Sequence, residues 1–178
     1  YFFDKFDLTL ATAGLIAGLF GLMNIFARTL GGVFSDLFAK QGGLKGRVRW
    51  LFIALICEGI ALVAFSQMHV LSLAIGIMLV FSLFVQMAEG ATYGVVPFIN
   101  KKALGAVAGI VGAGGNVGAV GAAFLFRSES LSYQQGLFYL GITVLVLASC
   151  VLLVRFSDAT EAEEAKAYSD AVGDDVGA

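Results

Sequence analysis

The chain has 178 residues, of which 59% are hydrophobic and 13% charged, against roughly 25% charged in an ordinary soluble domain. That balance excludes a soluble globular domain and fits a chain that lives in lipid. The formal charge of -2 averages two unlike parts: residues 1–156 carry ten Lys/Arg against six Asp/Glu, whereas residues 157–178 carry seven acidic residues and one lysine.

Tyr1 to Asp7 reads as a loop entered from something upstream, and with no initiator Met or signal peptide the chain is expected to be a fragment. Apolar runs follow near residues 8–34, 50–67, 71–98, 103–126 and 135–156. Each is about the 20 residues a helix needs to cross a bilayer core, and none alternates strictly in twos, so five transmembrane helices fit better than a barrel. The expected class is an all-α, polytopic transmembrane helix bundle over residues 1–156. Residues 157–178 form an acidic tail with almost nothing to bury and are expected to be disordered, with at most a brief helix over Ala159 to Tyr168.

Loop charges set the orientation. With the connection between Phe34 and Trp50 inside, the cytoplasmic side gathers Lys40, Lys45, Arg47, Arg49, Lys101, Lys102 and Arg155, against Lys5 and Arg127 on the other. This is the asymmetry of the positive-inside rule, and it places the C-terminus in the cytoplasm.

The first run holds a single charge, Arg28. A guanidinium cannot shed its proton, and on insertion scales a central Arg costs about 2.5–3.5 kcal/mol, so such a residue faces a bundle interior or aqueous cavity and touches something anionic. Two partners are open: a bound anion, or Asp36 at the end of the same run. Asn24, one turn before Arg28 on the same helix face, either lines the same cavity or makes a helix–helix hydrogen bond.

The segment Ser35-Asp36 to Arg47-Val-Arg49 places an acid at a helix end, then a Gly-rich turn and clustered bases. Asp36 paired with Arg47 would be a charge latch holding adjacent helices in one state, although the bases would also serve topology alone. The fourth run carries Gly105, Gly109, Gly112, Gly114, Gly115, Gly118 and Gly121. Glycine costs about 1 kcal/mol relative to Ala inside a helix, and the usual reason in membranes is close backbone approach, as in Gly114-x-x-x-Gly118. Asn116 among them offers its amide to a partner helix or to a ligand.

Glu58 and Glu89 are the remaining ionisable groups inside spans. A membrane-embedded carboxyl can carry a proton, but Glu58 is also within reach of the basic loop at Lys45 to Arg49, and Glu89 of Lys101-Lys102, so structural ion pairing is the alternative for both. Cys57, Cys150 and His69 are isolated, which leaves no disulfide or zinc framework. With no phosphate loop or nucleophile triad either, no cofactor, metal, ATP coupling, nucleic-acid partner or enzyme activity is expected.

Three stretches resemble the nitrate/nitrite porter family of the major facilitator superfamily: Ala13-Gly14 through Phe20-Gly21-Leu-Met-Asn24-Ile-Phe-Ala27-Arg28-Thr-Leu-Gly31-Gly32, Ala88-Glu89-Gly90 through Pro97-Phe98, and Gly109-Ile-Val-Gly112-Ala-Gly114-Gly115-Asn116-Val-Gly118-Ala. The last is similar to the second copy of that family's glycine-rich signature, and Ser35-Asp36 with Gly43 and Arg47 to the superfamily's cytoplasmic loop motif. The resemblance implies two six-helix bundles, with this chain supplying the last five helices of the second and the end of that bundle's first helix. It also implies that Arg28 is one of two arginines gripping the anion, its partner lying in the N-terminal six-helix bundle.

The functional expectation is a secondary transporter of nitrate and/or nitrite in the cytoplasmic membrane, working by alternating access. The substrate site would comprise Arg28, Asn24, Asn116, Gly114, Gly115 and Gly118, the latch Asp36 and Arg47, and any proton coupling Glu58 or Glu89. Proton symport and nitrate/nitrite exchange both remain open. The alternatives are a carrier of another small organic anion, or a non-transporting membrane scaffold or sensor.

Overall fold

A computed structural model describes residues 1–127 and 130–175, with side chains through residue 166. It contains α1 (Phe2–Phe6), α2 (Leu10–Leu22), α3 (Asn24–Ser66), α4 (Leu71–Val95), short 3₁₀ turns at Val96–Phe98 and Lys101–Ala103, α5 (Leu104–Arg127), α6 (Tyr133–Val151) and α7 (Asp158–Asp175). There is no strand among the described residues.

The first membrane pass departs from the expected run in two ways. It is interrupted at Met23, between α2 and α3. There the Ser82 hydroxyl of α4 donates to the Phe20 carbonyl at 2.9 Å, the insertion of a side chain into the backbone ladder that breaks helices. Beyond it, the expected loop of residues 34–50 is almost wholly helical. The chain turns at one residue, Gly43, whose φ of 56° and ψ of -142° an L side chain rarely adopts. Residues 10–66 would measure about 85 Å as one rod, nearly three times a bilayer's hydrocarbon thickness. Among the described residues four helical stretches are long and apolar enough to cross a membrane, Leu10–Ser66, Leu71–Phe98, Lys101–Arg127 and Tyr133–Val151, and the Gly43 break divides the first of them into two arms, 10–42 and 44–66.

The two arms of α3 close against each other beside the turn. The Trp50 indole donates to the Gly31 carbonyl at 3.0 Å. Its ring stacks on Phe34 at 4.9 Å, and a Cβ on Gly46 would overlap the Phe38 carbonyl. Pro97 sits in the 3₁₀ turn that ends α4, where its missing N–H stops the helix. α6 ends at Val151, earlier than expected at 156, because the chain leaves the helix and Phe156 packs on the cluster of Trp50, Leu51, Ala54, Met87 and Ala88. At the opposite end, Phe2, Ala13, Ile16, Leu62, Phe65, Ala74 and Met78 form a second cluster. Phe2–Phe6 is thus a docked helical turn and not the expected loop, closed by Asp7 in the left-handed region at φ 50°.

The acidic tail is a further correction. Of residues 157–178, expected to carry at most a brief helix over Ala159 to Tyr168, Asp158–Asp175 form α7, which contains that stretch and is longer, and residues 176–178 lie outside the described residues. Ala and Glu are strong helix formers, and acids in the first turn complement the helix dipole. The Ser157 hydroxyl accepts the Thr160 N–H at 3.2 Å as a cap. Lys45 to Glu161 at 3.0 Å and Lys101 to Glu163 at 2.9 Å tie the helix to the Gly43 end of the bundle.

Glycines set the distance between the first arm of α3 and α4. A Cβ on Gly31 would overlap the Met87 carbonyl, and one on Gly90 the Arg28 carbonyl. Gly90→Ala is therefore expected to lower stability by about 1–3 kcal/mol, the usual cost of overpacking. Gly76→Ala, where a Cβ meets nothing within 4 Å, should be neutral or stabilising by up to about 1 kcal/mol. Thermal unfolding of the full-length protein in detergent checks the pair.

Candidate functional site

α2 and the first arm of α3 run beside α4 toward the Gly43 end, with Phe20 beside Ser82, Arg28 beside Gly90 and Ser35 beside Gly94. Polar and small residues of α4 recur at helical spacing along this seam: Ser82, Gln86, Glu89, Gly90, Tyr93 and Gly94.

Arg28 pairs with Glu89, its Nη2 on Glu89 Oε2. The expected alternative for Glu89, pairing with Lys101 or Lys102, is not made among the described residues: Lys101 pairs with Glu163, and the close packing of Gly90 on the Arg28 backbone delivers Glu89 to the guanidinium instead. Both side chains stay accessible, 46% for Arg28 and 40% for Glu89. Asn24, the first residue of α3, is exposed a turn earlier. Two features therefore point a cation and an amide out of the bundle near one depth.

Gln86 was not singled out from the sequence. It is 7% exposed, at the level of Asn24 between the Ser82 and Gly90 contacts, and its Oε1 is buried with no hydrogen-bond partner. The signal that could have found it is the three- and four-residue spacing of Ser82, Gln86, Glu89 and Tyr93 in an otherwise apolar helix.

Asp36 and Arg47 meet as expected, Nη1 to Oδ1 at 2.5 Å. Arg47 also donates to the Ser35 hydroxyl at 3.4 Å and lies over the Phe98 ring at 5.1 Å from its centroid. One side chain thus joins both arms of α3 to the end of α4. It is only 14% exposed, whereas Asp36 is 64% exposed. Arg28 makes no contact with Asp36; the two arginines have separate carboxylates.

Asn116, Gly114, Gly115 and Gly118 are not brought to Arg28. α5 buries none of its residues, and these four are exposed. A Cβ on Gly114, Gly115 or Gly118 would meet nothing within 4 Å, so the close helix contact expected of them is not made among the described residues. The nearest approach is one turn away, where a Cβ on Gly112 would stand 3.7 Å from the Tyr93 hydroxyl. The glycines that do make tight contacts are Gly31, Gly46, Gly59, Gly90, Gly136 and Gly141. Motif density in α5 marks a smooth exposed face, while isolated glycines elsewhere mark the crossings.

Glu58 is half-buried in residues 44–66, on the stripe of Ala54 and Ala61. The expected ion pair with the basic loop is absent among the described residues, because Lys45 and Arg47 are directed to Glu161 and Asp36. Glu58 lies about two and a half turns of helix beyond Arg49, too deep for Lys45 and Arg47 once they are so engaged.

Helices of spanning length, a charged seam between two of them and an open face beside it define an all-α, multi-pass membrane protein. Comparison with known proteins narrows the class. Over 157 residues the chain is 43% identical to "High affinity nitrate transporter 2.5" of Arabidopsis thaliana, covering 88% of this chain and 31% of the relative. It is 37% identical over 120 residues to "Nitrate/nitrite transporter NrtP" of Picosynechococcus, covering 67% and 22%. It is also 34% identical over 153 residues to "Elsinochrome transporter 1" of Elsinoe fawcettii, covering 82% and 30%. No family model and no solved structure matches the chain. The chain belongs to the nitrate/nitrite porter family, whose named members are transporters and not enzymes, and it spans about a third of the length of the curated relatives it matches.

The unequal exposure of Asp36 and Arg47 separates their contributions. Asp36→Asn removes an exposed, screened ion pair and should cost below about 1 kcal/mol. Arg47→Ala also removes the Ser35 hydrogen bond and the Phe98 contact, and about 1–3 kcal/mol is expected. Chemical or thermal unfolding of the two variants checks the order.

Proposed function

We propose that this chain is part of a secondary transporter that carries nitrate and/or nitrite across the cytoplasmic membrane by alternating access. The observation that carries the reading is the position of Arg28: a permanently charged guanidinium inside a membrane pass, half-exposed on a face the chain's own helices leave open, in a chain related to nitrate transporters. In this reading Arg28 and Asn24 supply this half of the substrate site, and the N-terminal six-helix bundle supplies a second arginine. The exposed glycine face of α5, with Asn116, is the surface along which that bundle slides. The Asp36–Arg47 contact is the latch at the end where the basic loops gather, the cytoplasmic end in this reading. Glu58 and Glu89 are the carboxyls within the spans through which proton coupling would run.

Nitrate is planar and monovalent, and a guanidinium offers it paired in-plane hydrogen bonds that an ammonium cannot. A second reading is a carrier of another small organic anion, since one relative is named for elsinochrome and not for nitrate. A thermal-shift series of the full-length protein with nitrate, nitrite, chloride and small carboxylates separates the two, and no response to any anion would return the scaffold reading.

Arg28→Lys keeps the charge but not the fork. Loss of one charge-assisted hydrogen bond costs about 1.5–3 kcal/mol, so nitrate affinity should fall roughly ten- to hundredfold in folded protein. Affinity within about twofold of the parent would remove Arg28 from the substrate site.

A further inference from the structure

We infer that Glu89 is a resident anion that occupies the Arg28 guanidinium in the empty site and must be displaced when substrate binds. The inference rests on the reading of Arg28 as a substrate ligand and goes beyond it, because it assigns Glu89 a role as intramolecular competitor.

Three observations lead there. Glu89 Oε2 meets Arg28 Nη2, so the carboxylate stands at the guanidinium a substrate would need, and both side chains are accessible. A carboxylate and nitrate both present coplanar oxygens bearing one negative charge, so Glu89 is chemically able to compete with nitrate for the guanidinium. A spherical halide offers no such pair of oxygens.

Second, the backbone cannot relieve the contact. Gly90 is packed on the Arg28 carbonyl, and a Cβ there would also stand 3.2 Å from the Gly32 amide nitrogen, so residue 89 is fixed beside Arg28. Only rotation of the Glu89 side chain can free the guanidinium. Its exposure leaves room for that rotation, in contrast to the Asp36–Arg47 pair, whose arginine is enclosed by Ser35, Gly94 and Phe98.

Third, neither group has another charged partner among the described residues. The nearest basic side chain along the sequence after Glu89, Lys101, is held by Glu163, and Asp36 is held by Arg47. An exchange of anions at Arg28 therefore need not break any other ion pair.

A competitor lowers apparent affinity by the fraction of time it occupies the site. Glu89→Gln keeps the shape and removes the charge, so nitrate should bind about tenfold more tightly to the folded full-length variant, the effect of weakening one charge-assisted hydrogen bond. A positioning role, in which Glu89 merely holds Arg28 in place, gives the opposite sign. In the parent protein, the nitrate-minus-buffer infrared difference spectrum should show a shifted carboxylate stretch that is missing from Glu89→Gln. Unchanged or weaker nitrate binding by Glu89→Gln, or no carboxylate band in the parent, overturns the inference. Arg28→Ala in the same assay keeps the two claims apart. If it abolishes binding while Glu89→Gln fails to tighten it, Arg28 remains the ligand and only the competitor role falls. If Arg28→Ala binds nitrate like the parent, the substrate site itself is wrongly placed.

Discussion

Gly90 against the backbone of Arg28 is the contact on which the rest of the site depends. An arginine inside hydrocarbon needs an anion, and a glutamate in the same place needs a cation, and each is costly alone. Close approach of α3 and α4 at Gly31 and Gly90 brings the two groups to one depth without long side chains reaching across lipid. The same approach lets the Trp50 indole reach the Gly31 carbonyl and lets Ser35 sit beside Gly94, where Arg47 completes the junction. Packing, in this seam, is what arranges the electrostatics.

The two arginines divide the work by burial. Arg47 is enclosed, touching three elements, and reads as structure at the turn. Arg28 is half-open and touches one carboxylate. The open face therefore leaves the Arg28–Glu89 pair accessible, whereas the Arg47 side chain is closed in. At the Gly43 end, α7 lies over this turn through Lys45–Glu161 and Lys101–Glu163, exposed pairs that high salt should weaken.

Much of the fold was legible because membranes impose length and apolarity. That the apolar runs form helices of spanning length follows from residue type alone. What was not legible depends on pairing between helices. Residues 34–50 look like a loop because they are polar, yet a helix at the bundle's end exposes polar residues just as well, and only Gly43 has to leave helical geometry. The glycines of α5 were expected to be the crowded ones because they are many, whereas crowding falls on Gly31, Gly46 and Gly90, which stand apart or in ordinary Gly-Gly pairs. Glu89 looked destined for Lys101 by proximity along the chain; the parallel register of α3 and α4 gives it to Arg28. The tail looked unable to bury anything, and α7 forms from helix-forming residues, a serine cap and two ion pairs to the bundle.

The measurement that tests the central claim most directly is an experimental structure of the full-length protein with nitrate bound. The account predicts a planar anion within hydrogen-bonding distance of the Arg28 guanidinium, with the Glu89 carboxylate turned away from it. Nitrate bound elsewhere, with the Arg28–Glu89 pair intact, would contradict it.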